Sequence, residues 1–235
     1  MSLAVCTAGA FSAIQRSDQP AWSRSEANNN TFTEAGASDC PWFIRATRNL
    51  HGSSVCRSHL HQRCVLSIAL LTISDSRTLE NDPSGDLLQQ RLIDAGHHLQ
   101  TRAICPDDRY RIRALVSQWI VDSAVDVVIT TGGTGLTGRD GSPEAIGPLL
   151  DKTIDGFGEL FRMLSFQTIG TSSLQSRCLA GVANGTFIFV LPGSQDAVTT
   201  AWERLISAQL NSETRPCNLV QLRSRLKESA DQPPT

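Results

Sequence analysis

Asp126-Val127-Val128-Ile129-Thr130 is a β-branched, apolar run that passes directly into Thr131-Gly132-Gly133-Thr134-Gly135. A run of that kind reads as a buried strand. Ser142-Pro143-Glu144 follows and reads as a helix start, with Ser142 as N-cap and Pro143 at the first helical position. Strand, glycine loop and helix N-terminus in this order suit the carboxyl edge of an open α/β sheet, where ligands bind. They are also a physical recipe for holding phosphate. Glycine lets the backbone approach an anion closely, and N–H groups at a helix start point towards it.

Three motifs compete for the loop. Gly133-x-Gly135-x-x-Gly138 has dinucleotide-fingerprint spacing, but that fingerprint needs a second strand ending in an acidic residue. Glu159 stands at a tolerable distance, yet the preceding Asp155-Gly156-Phe157-Gly158 is no strand. Gly133 to Gly138 also approaches a P-loop, but Arg139 and Asp140 occupy the positions that require Lys and Ser/Thr. The remaining reading joins Gly132, Gly133, Thr134 and Gly135 to Arg139-Asp140 as a phosphate cradle followed by a placed carboxylate.

The rest of the chain supplies an α/β pattern around this loop. Val65 to Ile73 is an apolar run of the parallel-sheet kind, with Ser74-Asp75-Ser76-Arg77 at its carboxyl end. A helix is expected from about Ser84, with Leu87, Leu88, Leu92 and Ile93 on its apolar face and Gly96 at its end. His98 to Ile104 reads as a second strand, and Pro106-Asp107-Asp108 opens a helix lined by Ile112, Leu115, Val116, Trp119 and Ile120. Either Asp107 or Asp108 could cap it. Beyond the loop, Ile146 to Leu150 and Gly158 to Phe166 read as two helices broken by Asp155-Gly156-Phe157-Gly158. The second carries Leu160, Phe161, Leu164 and Ser165 on an apolar side, with Met163 in the core or at a subunit contact. Arg177 to Val182 and Thr186 to Leu191 form a hairpin about Asn184-Gly185. Gly193-Ser194 starts the last helix, whose buried stripe is Ala197, Val198, Ala201, Trp202, Leu205 and Ile206, and offers an anion a second helix N-terminus.

Composition narrows the partners. The net charge of −2 and pI near 6.2 show no nucleic-acid footprint, and no apolar run reaches membrane-spanning length. Seven scattered cysteines, an odd number, argue against a disulfide framework and fit a reducing cytoplasm. Residues 1–63 lack sustained periodicity and read as a disordered extension, residues 64–224 as the domain, and residues 225–235 as a frayed tail. Cys56, His59, His61 and Cys64 have spacings compatible with zinc, but short groupings of this kind arise by chance in biased segments.

TGGTGLTGRD, SPEA, FGELFRMLSF, IGTSSLQSR, AGVANGT and LPGS occur in one order between roughly Val65 and Leu222. In these motifs the chain resembles the MoaB/Mog family of molybdenum cofactor biosynthesis, most nearly its bacterial MoaB branch. The resemblance implies a three-layer α/β/α domain with a mostly parallel sheet, assembled as a homo-trimer or hexamer, with other cofactor-assembly proteins as further candidate partners. It implies molybdopterin binding and, in active members, Mg-ATP-dependent adenylylation of molybdopterin. By the same resemblance Asp107 matches a catalytic position, and Asp75, Ser84 and Gly85 fall near the nucleotide, although Ser84 could equally be a helix cap. Asp107 and Asp140 are assigned to catalysis and to Mg2+ and phosphate organisation, with Arg139 as the nearest cation. Ser142, Ser176, Arg177, Gly193 and Ser194 join the glycines on the phosphate and pterin, because hydroxyls and a guanidinium suit ring amides and phosphate. Gly141-Ser142 stands where many relatives have a β-branched residue and Thr, which should loosen the Asp140 loop. Two rivals remain: a protein that holds molybdopterin or its precursor without turnover, and an interaction module of a cofactor-assembly complex.

Because strand and helix periodicity begins abruptly at Val65, deletion of residues 1–60 should leave the thermal transition and the oligomer size unchanged. A large fall in Tm, read by circular dichroism, would show that the extension supports the domain.

Overall fold

The computed structural model describes residues 64–228. The readings made for residues 1–63, including Cys56, His59 and His61, and for residues 229–235 lie outside them.

A six-stranded sheet forms the middle layer, in the order β2-β1-β3-β6-β5-β4. Its strands are β1 (Ser67–Ile73), β2 (His98–Cys105), β3 (Val127–Thr131), β4 (Lys152–Thr153), β5 (Leu179–Ala183) and β6 (Thr186–Leu191). β2, β1, β3 and β6 run parallel, whereas β5 is antiparallel to both β6 and β4. The β5–β6 turn places Asn184 at φ +47° and Gly185 at φ +79°, the left-handed pair that a two-residue hairpin needs.

Alternation along the strands builds two cores. Ile68, Leu70, Val127, Ile129, Phe187 and Phe189 face one side, against α1 (Pro83–Asp94), α4 (Asp155–Ile169) and α5 (Gln195–Ala201). Ala69, Leu71, Val128, Ile188 and Val190 face the other, against α2 (Arg109–Val121) and α3 (Ser142–Ile146). The three-layer α/β/α arrangement expected from the sequence is therefore present. β1 connects through α1 to β2 on one flank, and β2 returns through α2 to β3 on the other. Helices on opposite faces keep both crossovers right-handed, and the reversal opens a crevice at the carboxyl ends of β1 and β3.

Several local expectations change. Asp82, not Ser84, caps α1 by accepting from Gly85 N–H, and Ile93 of that helix is exposed. Asp108 caps α2 through Tyr110 and Arg111 N–H, which leaves Asp107 for another partner. Gly141 rather than Ser142 is the cap position of α3, a five-residue helix continued by a 3-10 turn from Gly147 to Leu149. Asp155-Gly156-Phe157-Gly158 is no break; it is the first turn of α4. Phe157 anchors that turn, its ring 5.3 Å from the Phe189 ring, and Gly158 passes close to the Cys178 carbonyl. Tertiary packing outweighs the glycines' weak helix propensity here. The final helix extends from α5 through a π-helical turn at Trp202–Ile206.

α4 buries Phe157 and Phe161 but leaves Leu160, Met163, Phe166 and Ile169 between 47% and 58% exposed. Leu160 is thus outside the core, contrary to the sequence expectation, and Met163 is not core either. Among the described residues no helix is long and apolar enough to cross a membrane, and Cys64, Cys105, Cys178 and Cys217 are unpaired.

Phe161 is 1% exposed at the centre of the α4 packing. Phe161→Ala should cost about 3–5 kcal/mol, combining lost transfer energy with a residual cavity. Urea denaturation checks this; a loss below about 1 kcal/mol would mean that the neighbours collapse to fill the space.

Candidate functional site

The glycine loop begins where β3 leaves the sheet. Gly132 and Gly133 take φ +103° and +63°, in the region L side chains avoid. A Cβ on Gly132 would stand 2.2 Å from the Ile73 carbonyl oxygen, so this backbone can pass the end of β1 only as glycine. The loop has almost no side chains of its own, and other elements hold it. Ser142 Oγ donates to the Gly132 carbonyl at 2.8 Å, and Ser142 N–H to the Gly133 carbonyl at 2.9 Å. Arg177 Nε donates to the Thr134 carbonyl at 3.1 Å, and its Nη2 to the Gly135 and Asp140 carbonyls at 2.5 and 3.1 Å. Successive carbonyls are therefore occupied, while the Gly133 and Thr134 N–H groups donate to no backbone carbonyl among the described residues.

Three aspartates meet at this loop from different strands. Asp75 follows β1, Asp107 follows β2, and Asp140 closes the loop after β3. Asp107 N–H donates to Asp75 Oδ1 at 3.1 Å, and Gly141 N–H donates to Asp107 Oδ1 at 3.2 Å. Arg139 lies across the opening, with Nη2 2.6 Å from Asp75 Oδ2. Burial pushes the Asp107 carboxyl above its ordinary range, and the neighbouring Asp140 and Asp75 charges add to this; the Gly141 hydrogen bond and Arg139 only partly oppose it. Asp75 is held below the ordinary range, first by Arg139 and then by the Asp107 amide. Asp140 is also held low, chiefly by the Thr137 hydroxyl, which donates to Oδ2 at 2.6 Å, with Thr137 N–H at 2.9 Å.

The expected loosening at Gly141 is countered. Its amide is bound by Asp107, and Arg177 and Thr137 fix Asp140 beside it. Among the described residues no group of three or more His, Cys, Asp and Glu side chains could hold a metal ion alone. Asp107 nevertheless fits a divalent cation in the manner of Mg2+, which uses one or two carboxylates and completes its shell with water and substrate phosphate. Only its Oδ1 is engaged by Gly141, and its charge is destabilised by two neighbouring carboxylates.

Two cavities flank the loop. The larger, ≈ 360 Å³, is bounded by Thr134 and Gly135, by Ser165 and Ile169 of α4, and by Ser176 and Ser194. Ser176 Oγ is buried without a conventional hydrogen-bond partner among the described residues, and Ser194 caps α5 by accepting from Ala197 N–H. The smaller, ≈ 200 Å³, lies between Ser74, Arg77, Gly132 and Gly193 at the strand ends.

The structure thus gathers Asp75, Asp107, Arg139, Asp140, Gly132 to Gly135, Ser142 and Arg177 at one edge, with Ser176, Gly193 and Ser194 alongside. Ser84 and Gly85 are buried beneath it: Ser84 Oγ donates to the Gly193 carbonyl at 2.8 Å and Gly85 N–H to Asp82. Ser84 reaches the crevice through Gly193 and through Arg77, whose Nη1 donates to Ser84 Oγ at 3.1 Å.

Asp82, Glu144, Arg77, Arg102 and Arg113 have no site role in the sequence reading, yet the structure draws them into the site's support. Asp82 is fully buried, where it accepts from Thr72 Oγ1 at 2.6 Å, Arg102 Nη2 at 2.9 Å and Arg77 Nη1 at 3.1 Å. Burial pushes its carboxyl up, but these hydrogen bonds and that from Gly85 outweigh it and hold the carboxyl low. Glu144 is paired with Arg177, and Arg113 of α2 donates to the Glu144 and Ala145 carbonyls. The capping pattern at Asn81-Asp82-Pro83 could have revealed Asp82; nothing local marks the others.

Comparisons with known proteins bear on this geometry. A family described as a probable molybdopterin binding domain matches residues 69–212. Molybdenum cofactor biosynthesis protein B of Escherichia coli K12 is 56% identical over 151 residues, covering 64% of this chain and 89% of that protein. A crystal structure of a Molybdenum cofactor biosynthesis protein B aligns with a TM-score of 0.61 at 44% identity, covering 63% of this chain and 92% of the other. The tungsten cofactor synthesizing protein MoaB from Pyrococcus furiosus aligns with a TM-score of 0.57 at 33% identity, covering 70% and 98%.

Buried Asp82 and half-buried Asp107 predict opposite pH effects. Asp82, held low, contributes stability above the ordinary carboxyl pKa that is lost as pH falls through its folded value, so Asp82→Asn should be destabilised at pH 7 and less so in acid. Asp107, held high, favours folding when protonated and opposes it once pH passes its folded value. Asp107→Asn should therefore match or exceed the parent's stability at pH 7, with the gain vanishing below the ordinary carboxyl pKa. Urea midpoints across pH 3–7 measure both; a marked loss for Asp107→Asn at pH 7 would contradict the assigned strain.

Proposed function

Because the chain belongs to the MoaB/Mog family of molybdenum cofactor biosynthesis proteins, we propose that it binds molybdopterin and adenylylates it with Mg-ATP. The observation that carries this reading is the Asp107 carboxylate, held beside the glycine loop with Asp75 and Asp140 close enough to destabilise its charge. Such a group gains most from a cation.

In the reaction, a terminal phosphate oxygen of molybdopterin attacks the α-phosphorus of ATP. A new P–O bond forms, the bond to the β-phosphate bridge breaks, and pyrophosphate leaves. Catalysis of this kind is mostly positioning and charge neutralisation. Bound at Asp107 and, through the loop, near Asp140, Mg2+ would supply charge neutralisation on the phosphates. The amides of Gly133 and Thr134 approach phosphate oxygens, and Arg139 can leave its exposed pairing with Asp75 to face developing negative charge. The larger cavity, with Ser176 and Ser194 on its walls, has the size and mixed polarity for the pterin. The smaller one, bounded by Gly193, would take part of the nucleotide, with Ser84 and Gly85 bracing it from below. The exposed apolar stripe of α4 supports a homo-trimer or hexamer, and the four cysteines of the described residues, all unpaired, fit a reducing cytoplasm.

A second reading, molybdopterin binding without turnover, is favoured by one feature. The Asp140 carboxylate is closed onto Thr137, where it needs no cation.

The test is pyrophosphate release with molybdopterin and Mg-ATP. The parent protein should turn over, and Asp107→Asn and Asp140→Asn should each fold and bind pterin yet lose adenylylation by orders of magnitude. The double variant should be little worse than either, because groups acting as a unit are non-additive. Full activity in a single variant removes that residue from the site, and a parent that binds pterin but releases no pyrophosphate is the binding protein.

A further inference from the structure

Arg177 has the chemistry of a phosphate ligand but not the surroundings of one. Its Nε and Nη2 bind the Thr134, Gly135 and Asp140 carbonyls, and its Nη1 is paired with Glu144 Oε1. Four of its five N–H donors are thus engaged, and only one Nη1 N–H is left over, so Arg177 can grip a phosphate with two N–H groups only by giving up contacts that shape the loop. Glu144 in turn is set by α3, whose Glu144 and Ala145 carbonyls accept from Arg113 of α2 at 2.8 and 3.1 Å. A continuous connection therefore runs from α2 through α3 and Glu144 to Arg177 and the loop. The same residue holds the cavity together, since Thr134 and Gly135 form one wall and Ser176, adjacent to Arg177, lies on another.

Resting on the molybdopterin reading above, we propose that Arg177 and Glu144 are positioning residues: together they fix the shape in which the glycine loop presents its amides, and neither touches the phosphate. Three consequences follow from the fork. Lys keeps the charge but cannot span the Thr134 and Gly135 carbonyls together, so charge alone will not substitute. Removing the Glu144 charge frees Arg177 to rotate, so a residue away from the ligand should behave like one at its edge. The two substitutions should also be strongly coupled, because each breaks the same connection.

The experiment compares the parent with Glu144→Gln, Arg177→Lys and the double variant. It reads molybdopterin affinity, amide hydrogen exchange at Gly133 to Gly135, and the thermal midpoint. Each single variant should lose affinity on the order of ten-fold, the scale of one charged hydrogen-bond partner. Exchange at the loop amides should rise in both, and the double variant should be little worse than Arg177→Lys. A variant that loses thermal stability is read at a temperature well below its midpoint, so that exchange reports the loop and not unfolding. Retained affinity and unchanged loop exchange in Glu144→Gln, with loss confined to Arg177→Lys, would overturn the proposal and make Arg177 a direct ligand. A parent that binds no molybdopterin would instead overturn the functional reading. The exchange comparison would still decide whether the pair holds the loop.

Discussion

A loop made of glycine and threonine has no side chains with which to hold its own shape, and the functional edge of this protein depends on how that is overcome. Ser142 and Arg177 occupy the carbonyls of Gly132 through Gly135, so the loop is fixed from outside by residues of α3 and the β5 approach. The steric demand at Gly132, whose backbone passes against the Ile73 carbonyl, excludes any Cβ there. Close approach and external fixation are two sides of one arrangement. The backbone can come near an anion because nothing projects from it, and it stays put because its acceptors are already bound.

Carboxylates withdrawn from water, fully at Asp82 and in part at Asp107, are handled in two ways within one sheet edge. Asp82 lies at the base of the segment after β1, and hydroxyl, amide and guanidinium donors surround its carboxylate. Those donors replace the lost water, so its charge is retained in the interior. Asp107, at the end of β2, has one backbone amide and two neighbouring carboxylates, and its charge is left under-compensated. The first pattern gives a rigid joint between β1, α1 and β2; the second leaves a demand for positive charge beside the phosphate loop. Perturbed carboxyls of the second kind concentrate at functional sites.

Strand alternation and helix stripes were legible because each depends on residues close in sequence. The hairpin at Asn184-Gly185 and the three layers follow from such local patterns. The start of α4 was not legible, since Asp155-Gly156-Phe157-Gly158 is a poor helix by propensity and is held by Phe157 against Phe189. The chemistry of Ser142 suits a helix cap, yet its hydroxyl is turned back to Gly132. The guanidinium of Arg177 suits phosphate by its chemistry, but only the fold reveals that its partners include loop carbonyls some forty residues away. Which partner a polar side chain takes depends on what folding brings near it, and composition does not record that.

The sequence by itself determined the α/β class, the buried strands, the position of the glycine loop and the aspartates that follow the strands. These rest on local periodicity, turn chemistry and the order of motifs. Only the tertiary structure decided that Asp82 would be a buried joint, that Asp107 and not Asp108 would face the loop, and that Glu144 and Arg113 would matter to it at all. The physical reason is that hydrogen bonding and desolvation are set by neighbours in space. A carboxylate or guanidinium reads the same along the chain whether it ends in water, in the core, or on the carbonyl of a distant strand.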